Sequence, residues 1–280
     1  MKKLIFLVFF LFFVFANAEA ARIDSITIPA KASGINIKTI VILPEKALGV
    51  IAQNCPVVYL LHGYTGNETD WLKKNPNLPA IADEKSIIIV CPDGKNSWYL
   101  DSPLKKDNQY ETFISFELVE YIDKHYPTIP NRTRRAITGL SMGGHGALYN
   151  AFKHTDIFGA VGSMSGAIDV NTGGKNYGLV SLLPSMANGN TGNWGNQSVI
   201  AQIAYLKKQD LAIIIDCGID DFCFPYNEAV HKALVEKGID HDYTIRPGKH
   251  TWDYWVNSLD YHLLFFCKYF DSNRQLIINN

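Results

Sequence analysis

Three residue types in this chain carry the spacing and setting for nucleophilic chemistry. Gly139-Leu140-Ser141-Met142-Gly143 has the form G-x-S-x-G, in which a serine sits on a tight strand-to-helix turn with its hydroxyl projecting above the sheet. The residues before Gly139 read as a strand. Those from Met142 onward read as a helix opening on small residues (Gly143, Gly144, Gly146, Ala147), a setting no other serine has. A serine hydroxyl is a weak nucleophile until a base takes its proton, so a histidine must reach the same edge of the sheet. His250, in the loop Gly248-Lys249-His250-Thr251-Trp252, is the best placed. His62 follows a buried strand and suits a structural hydrogen bond. His145 and His154 fall within the helix after Ser141, and His125, His231, His241 and His262 read as helical or surface positions. The base in turn needs a carboxylate to fix its tautomer. Asp216, Asp220 and Asp221 all follow the apolar run Leu211 to Ile215. Asp216 also suits a strand-ending role and Asp220 a solvated one, so the residues alone leave the three open. Two backbone N–H groups must meet the developing oxyanion. Met142, just after the nucleophile, supplies one, and Tyr64, after the strand ending Leu60-Leu61-His62, supplies the other, with Gly63 as the alternative.

Such groups converge only if parallel strands deliver them to one edge. Strand-length apolar runs alternate here with longer helical patterns, the mark of βαβ units around a mostly parallel sheet. Ser25 to Ile28 and Ile35 to Leu43 alternate apolar with polar residues, as an antiparallel hairpin with one solvated face does. Continuous apolar strands follow at Val57 to Leu61, Ile87 to Cys91, Ala136 to Gly139, Gly159 to Met164 and Leu211 to Asp216, with Tyr243 to Arg246 as an edge strand. Helices are expected over Glu111 to Tyr126, with Phe113, Phe116, Val119, Tyr121 and Ile122 on its apolar face, and over Met142 to His154, Asn227 to Lys237 and Trp252 to Phe270. The expected fold class is α/β, a twisted, mostly parallel sheet of about eight strands with helices on both faces. The Gly- and Asn-rich stretch from Asp169 to Gln197 reads as a loop-heavy insertion.

Lys2 and Lys3 precede an apolar run from Leu4 to Phe15 that ends in small residues, the pattern of a signal peptide. That run of about 12 residues is shorter than the roughly 20 a spanning helix needs. Residues 1–20 are therefore expected to be removed, leaving a single domain over 21–280, secreted or periplasmic and without stable membrane insertion. A formal charge of −1 with mixed signs throughout gives no basic footprint, which argues against nucleic acid. Of 5 cysteines at least one stays unpaired within the chain. Cys55 and Cys91 read as buried thiols, whereas Cys217 and Cys223 are close enough in sequence either to bridge or to remain free. No pair has C-x-x-C spacing, so no metal site is expected, and the chemistry outlined needs no cofactor.

With these pieces placed, the chain resembles the esterase D family of α/β-hydrolases, whose chain order is Ser, Asp, His. That family includes S-formylglutathione hydrolases, feruloyl and acetyl esterases, short-chain tributyrin esterases and the antigen 85 mycolyltransferases. The resemblance spans Ile23 to Phe270 and rests on LLHGYTGNETDW from Leu60, NSWYLDSP from Asn96, YETFISFELVEYID from Tyr110, ITGLSMGGHGALY from Ile137, FGAVGSMSG from Phe158, DCGIDDF from Asp216 and GKHTWDYW from Gly248. It implies a serine carboxylesterase for short-chain acyl esters, with Asp221 as the acid and with Trp98 and Tyr99 at the substrate. Alternatives within the same chemistry are a feruloyl or acetyl esterase acting on plant polysaccharide side chains, an S-formylglutathione hydrolase-like thioesterase and an acyltransferase. Leu140 stands where S-formylglutathione hydrolases carry a histidine, which counts against the thioesterase. A non-catalytic binding module on the same scaffold is the alternative from another class, and a complete triad argues against it. The expected partner is a small-molecule or carbohydrate-linked ester.

Overall fold

The computed structural model describes residues 21–166, 177–184 and 192–273. The expected signal peptide and much of the Asp169 to Gln197 insertion lie outside them. In chain order the strands are β1 (Arg22–Ala30), β2 (Ile35–Leu43), β3 (Val57–Leu61), β4 (Ile88–Pro92), β5 (Arg135–Gly139), β6 (Ala160–Met164), β7 (Ala212–Gly218) and β8 (Asp242–Arg246). They form one sheet in the order β1-β2-β4-β3-β5-β6-β7-β8. β1 pairs antiparallel with β2, and β2 with β4. All later pairs are parallel, which leaves β8 on an edge.

The helices are α1 (Asp70–Lys74), α2 (Leu78–Lys85), α3 (Tyr110–Thr112), α4 (Leu118–His125), α5 (Met142–Lys153), α6 (Val199–Ile203), α7 (Phe224–Lys237) and α8 (Trp252–Ser272). Both faces of the parallel sheet are covered, so its strands are buried on both sides and read as unbroken apolar runs. Successive side chains of a strand point to opposite faces. Accordingly Val57, Tyr59 and Leu61 join the core beneath α4, α5 and α7, while Val58 and Leu60 join Trp71, Leu78, Leu259 and Phe266 beneath α1, α2 and α8. Among the described residues no helix is long and apolar enough to cross a membrane.

The expected helix Glu111 to Tyr126 is present but irregular. A π turn, Phe113–Glu117, joins α3 to α4. One residue more per turn shifts the helical phase, so Phe113, Ile114, Leu118 and Ile122 are buried while Phe116, expected on the apolar face, is 44% exposed. Its ring lies 4.8 Å from that of His154 instead.

Candidate active site

β5 ends at Gly139, and two residues later Ser141 caps α5 with φ 53° and ψ −118°. A positive φ on a side-chain-bearing residue is strained. Here it is held by the Ser141 amide donating to Met164 O at 2.9 Å and by Ser141 O accepting from the His145 amide at 3.0 Å. The turn also needs α5 to start against the end of β3. A Cβ on Gly143 would lie 2.6 Å from both the Leu61 and the His62 carbonyl oxygens, so only glycine permits that approach.

His250 enters from the loop between β8 and α8, and Asp221 from the loop after β7. The His250 Nε2 lies 2.9 Å from Ser141 Oγ, and its Nδ1 lies 2.9 and 3.0 Å from the two Asp221 oxygens. With the carboxylate ionised, Nδ1 carries the proton and donates to it, leaving Nε2 to accept from the serine hydroxyl. Burial pushes the Asp221 carboxyl up, but the His250 bond and the Cys223 amide, donating at 2.8 Å, outweigh it and hold the carboxyl below its ordinary value. Ser165 Oγ lies beside this carboxylate short of hydrogen-bond geometry. The His250 ring is held between Phe222, at 4.3 Å, and Trp255, at 4.8 Å.

The other two aspartates do different work. Asp220 is exposed, and its amide donates to Gly248 O at 3.0 Å. Asp216 is fully buried and accepts from Arg246 Nη2 at 2.5 Å, from the Tyr254 hydroxyl and from Ser258 Oγ at 3.2 Å. Arg246 ends β8 and Tyr254 lies in the first turn of α8, so Asp216 ties together the two ends of the segment that carries His250.

The His62 Nδ1 donates to Gly63 O and its Nε2 accepts from the Gly94 amide, both at 2.7 Å, which fixes the peptide leading into Tyr64. Tyr64, Met142 and Ser141 line one cavity of about 620 Å³, and Gly63 borders it too. Among the described residues the Tyr64 and Met142 amides donate to no protein acceptor.

Trp98 lines this cavity, with its Nε1 donating to Tyr177 O at 3.1 Å. Tyr99, expected beside it at the substrate, does not reach the cavity. It is fully buried, its ring packs against Gly94 and Gly146, and its hydroxyl donates to His62 O at 3.0 Å. Both residues have positive φ, 56° and 55°, and this tight turn sends the second ring down into the core. Four cavity aromatics were not foreseen: Tyr177, Phe222, Trp252 and Trp255. Phe222 adjoins Asp221 and the tryptophans follow His250, so position next to these two residues is the available signal. Tyr177 had none.

All five cysteines are free thiols, and Cys217 and Cys223 do not bridge. One donor atom each from Asp221, Cys223 and His250 lies within 4.8 Å of the others. Two of these groups are already bonded to each other, and burial, followed by the Asp221 charge, pushes the Cys223 thiol up and keeps it protonated. The cluster is therefore a hydrogen-bonded Asp221–His250 pair with a protonated thiol packed behind it.

Comparison with known proteins agrees with this architecture. Residues 30–266 match the protein family described as "Putative esterase". An acetyl esterase of Caldicellulosiruptor saccharolyticus is 30% identical over 219 residues, covering 74% of this chain and 81% of that one. A solved ferulic acid esterase superposes with a TM-score of 0.76 at 27% identity, covering 90% of this chain and 99% of the other. A substrate-bound, fluorophosphonate-binding serine hydrolase of Staphylococcus aureus shares the fold with a TM-score of 0.76 at 20% identity, covering 89% and 99%. The chain belongs to this esterase family, the esterase D-like α/β-hydrolases, and is a carboxylic ester hydrolase of the serine type.

Proposed function

We propose that this chain hydrolyses short-chain acyl esters by two-step acyl transfer through Ser141, His250 and Asp221. Ser141 Oγ attacks the ester carbonyl as His250 Nε2 takes its proton, and Asp221 stabilises the imidazolium that forms. The Met142 and Tyr64 amides receive the oxyanion. The C–O bond to the alcohol breaks, the alcohol leaves with the proton from His250, and an acyl-serine remains. Water then attacks that ester with His250 again as base, which releases the acid and restores the serine. The observation that supports this reading is the unbroken chain of hydrogen bonds from Asp221 through His250 to Ser141, ending at the wall of a cavity. Lys2, Lys3 and the apolar run after them support an exported enzyme, secreted or periplasmic.

A second reading is favoured by the cavity wall. Tyr64, Trp98, Tyr177, Phe222, Trp252 and Trp255 surround the serine, and such a wall suits a planar hydroxycinnamoyl group as well as a small acyl group. Values of kcat/KM for p-nitrophenyl acetate, butyrate, octanoate and palmitate beside methyl ferulate separate the two. A maximum at acetate or butyrate is expected. A maximum at octanoate or beyond refutes the short-acyl reading, and a still higher value for methyl ferulate transfers the assignment to a feruloyl esterase.

A further inference from the structure

The two edges of the sheet, β1 and β8, are finished differently. β1 carries Pro29 within the strand, a residue that cannot donate to a further strand. β8 is Asp242-Tyr243-Thr244-Ile245-Arg246, with neither the proline nor the lysine that commonly blunts an edge. It runs in register with β7 from Ile214↔Asp242 to Gly218↔Arg246, without a bulge to twist it away. Among the described residues no strand pairs with its outer side, and Ile245 is 46% exposed.

The hydrogen bonds on the inner side of β8 tell which of its backbone groups point out. Arg246 O accepts from the Ile219 amide at 2.9 Å, and Gly248 O accepts from the Asp220 amide at 3.0 Å. In a strand the N–H and C=O of one residue point to the same side, and the side alternates from residue to residue. Asp242, Thr244 and Arg246 therefore direct theirs at β7, whereas Tyr243 and Ile245 present theirs to the outside. Two copies of β8 laid antiparallel about a twofold axis through Thr244 would then match throughout. Tyr243 would face Ile245 of the second copy, and because their groups are the outward ones, each such pair would exchange both N–H···O bonds. Asp242, which is exposed, would face Arg246, and Thr244 would face Thr244. Aromatic with β-branched, opposite charges, and threonine with threonine are all cross-strand pairs that stabilise antiparallel neighbours. Because Arg246 already bonds Asp216, the Asp242 contact would set register more than strength. A shift of one residue would set inward-pointing groups against outward-pointing ones and lose the match.

We infer that the chain forms a twofold-symmetric dimer in which β8 of each copy pairs antiparallel with β8 of the other, joining the two sheets into one. The partner is a second copy of this chain because β8 is its own complement when reversed, which is what an isologous interface requires. The loop that carries His250 follows the C-terminal end of β8. Antiparallel pairing points these ends in opposite directions, so the two catalytic cavities open at opposite edges of the joined sheet and neither obstructs the other.

The test is sedimentation velocity across micromolar concentrations, in which the parent should sediment as a dimer. Ile245→Pro removes an outward N–H that β7 does not use, at the kind of edge where proline is tolerated, and should give a monomer with native circular dichroism. Asp242→Lys sets like charges opposite each other at both ends and should weaken the dimer by about 5-fold or more; it reads the same interface if the proline costs stability. Register is read by cross-linking in a Cys267→Ser background, which removes the half-buried native thiol. Thr244→Cys puts a thiol on the axis, where facing Cα atoms of a non-hydrogen-bonded pair stand about 4.5 Å apart, within disulfide range. Oxidation should link two chains through it and should not do so through Asp240→Cys, which lies off the axis. A parent that is monomeric at every concentration, a dimer untouched by both Ile245→Pro and Asp242→Lys, or linking through Asp240→Cys as readily as through Thr244→Cys overturns the proposal.

Discussion

Asp216→Asn and Asp221→Asn make the same chemical change at two buried carboxylates five residues apart, and they should fail in opposite ways. Asp216 is 0% exposed and faces an Arg246 side chain that is 19% exposed. Removing one partner of a fully buried ion pair costs about 3–5 kcal/mol. Arg246 keeps some access to water and packs on the rings of Tyr254 and Tyr261, at 5.1 and 4.2 Å, so the lower end, about 3 kcal/mol, applies. At roughly 2–4 °C per kcal/mol for a domain of this size, Tm falls by roughly 6–12 °C. Because the cluster only holds the two ends of the His250 segment, kcat measured well below Tm should fall by no more than about tenfold. Asp221→Asn leaves an oxygen to accept from the Cys223 amide but can no longer select the catalytic tautomer of His250. Its kcat should fall by about 10⁴-fold with KM little changed, and its Tm should stay within about 3 °C of the parent. Thermal unfolding followed by circular dichroism, with kcat and KM for p-nitrophenyl acetate, reads both effects. An Asp216→Asn protein with parental Tm, or with a kcat loss equal to that of Asp221→Asn, refutes the division of labour.

Three further outcomes follow from the same geometry. Ser141→Ala should abolish covalent labelling by a fluorophosphonate and leave at best about 10³- to 10⁴-fold enhancement over water; a variant that still labels sinks the nucleophile. Gly143→Ala forces a methyl group onto two backbone carbonyls, so it should cost about 1–3 kcal/mol and lower kcat as α5 lifts; parental Tm and kcat together would contradict the packing argument. Because the Asp221 carboxyl sits below its ordinary value in the folded protein, the stability it adds is complete above about pH 5 and is lost as pH falls through the folded value. Asp221→Asn should therefore show a shallower loss of stability from pH 5 downward than the parent, and parallel curves in urea titrations would refute this.

Much of the sheet was legible because burial on both faces turns a parallel strand into a short apolar run, and Val57 to Leu61 matches its strand residue for residue. What escaped has local causes. Phe116 lies where a π turn breaks the helical period from which its face was inferred. Tyr99 follows Trp98 in a left-handed turn, and neither spacing nor composition tells which of two adjacent aromatic rings enters a cavity. Ser141 and His250 stand out by local setting, whereas Asp216, Asp220 and Asp221 share one loop and differ only in what surrounds them. The resemblance selected Asp221, and the structure brings Asp221 to His250 while giving Asp216 to Arg246. Tyr177, Phe222, Trp252 and Trp255 reach the cavity from loops and a helix start, where no periodicity marks an inward side chain.

The unbridged cysteines bear on how this protein can be made and monitored. Four of the five are buried, and none is joined to another. Folding therefore needs no oxidant or disulfide isomerase, and the chain can reach its native state as readily in a reducing compartment as in an oxidising one. Once the chain is folded, Cys55, Cys91, Cys217 and Cys223 are shielded from oxidants by packing alone. Their alkylation becomes a clock for global opening, and a preparation that slowly acquires disulfide-linked species larger than the dimer the half-buried Cys267 can form is reporting how often its molecules unfold.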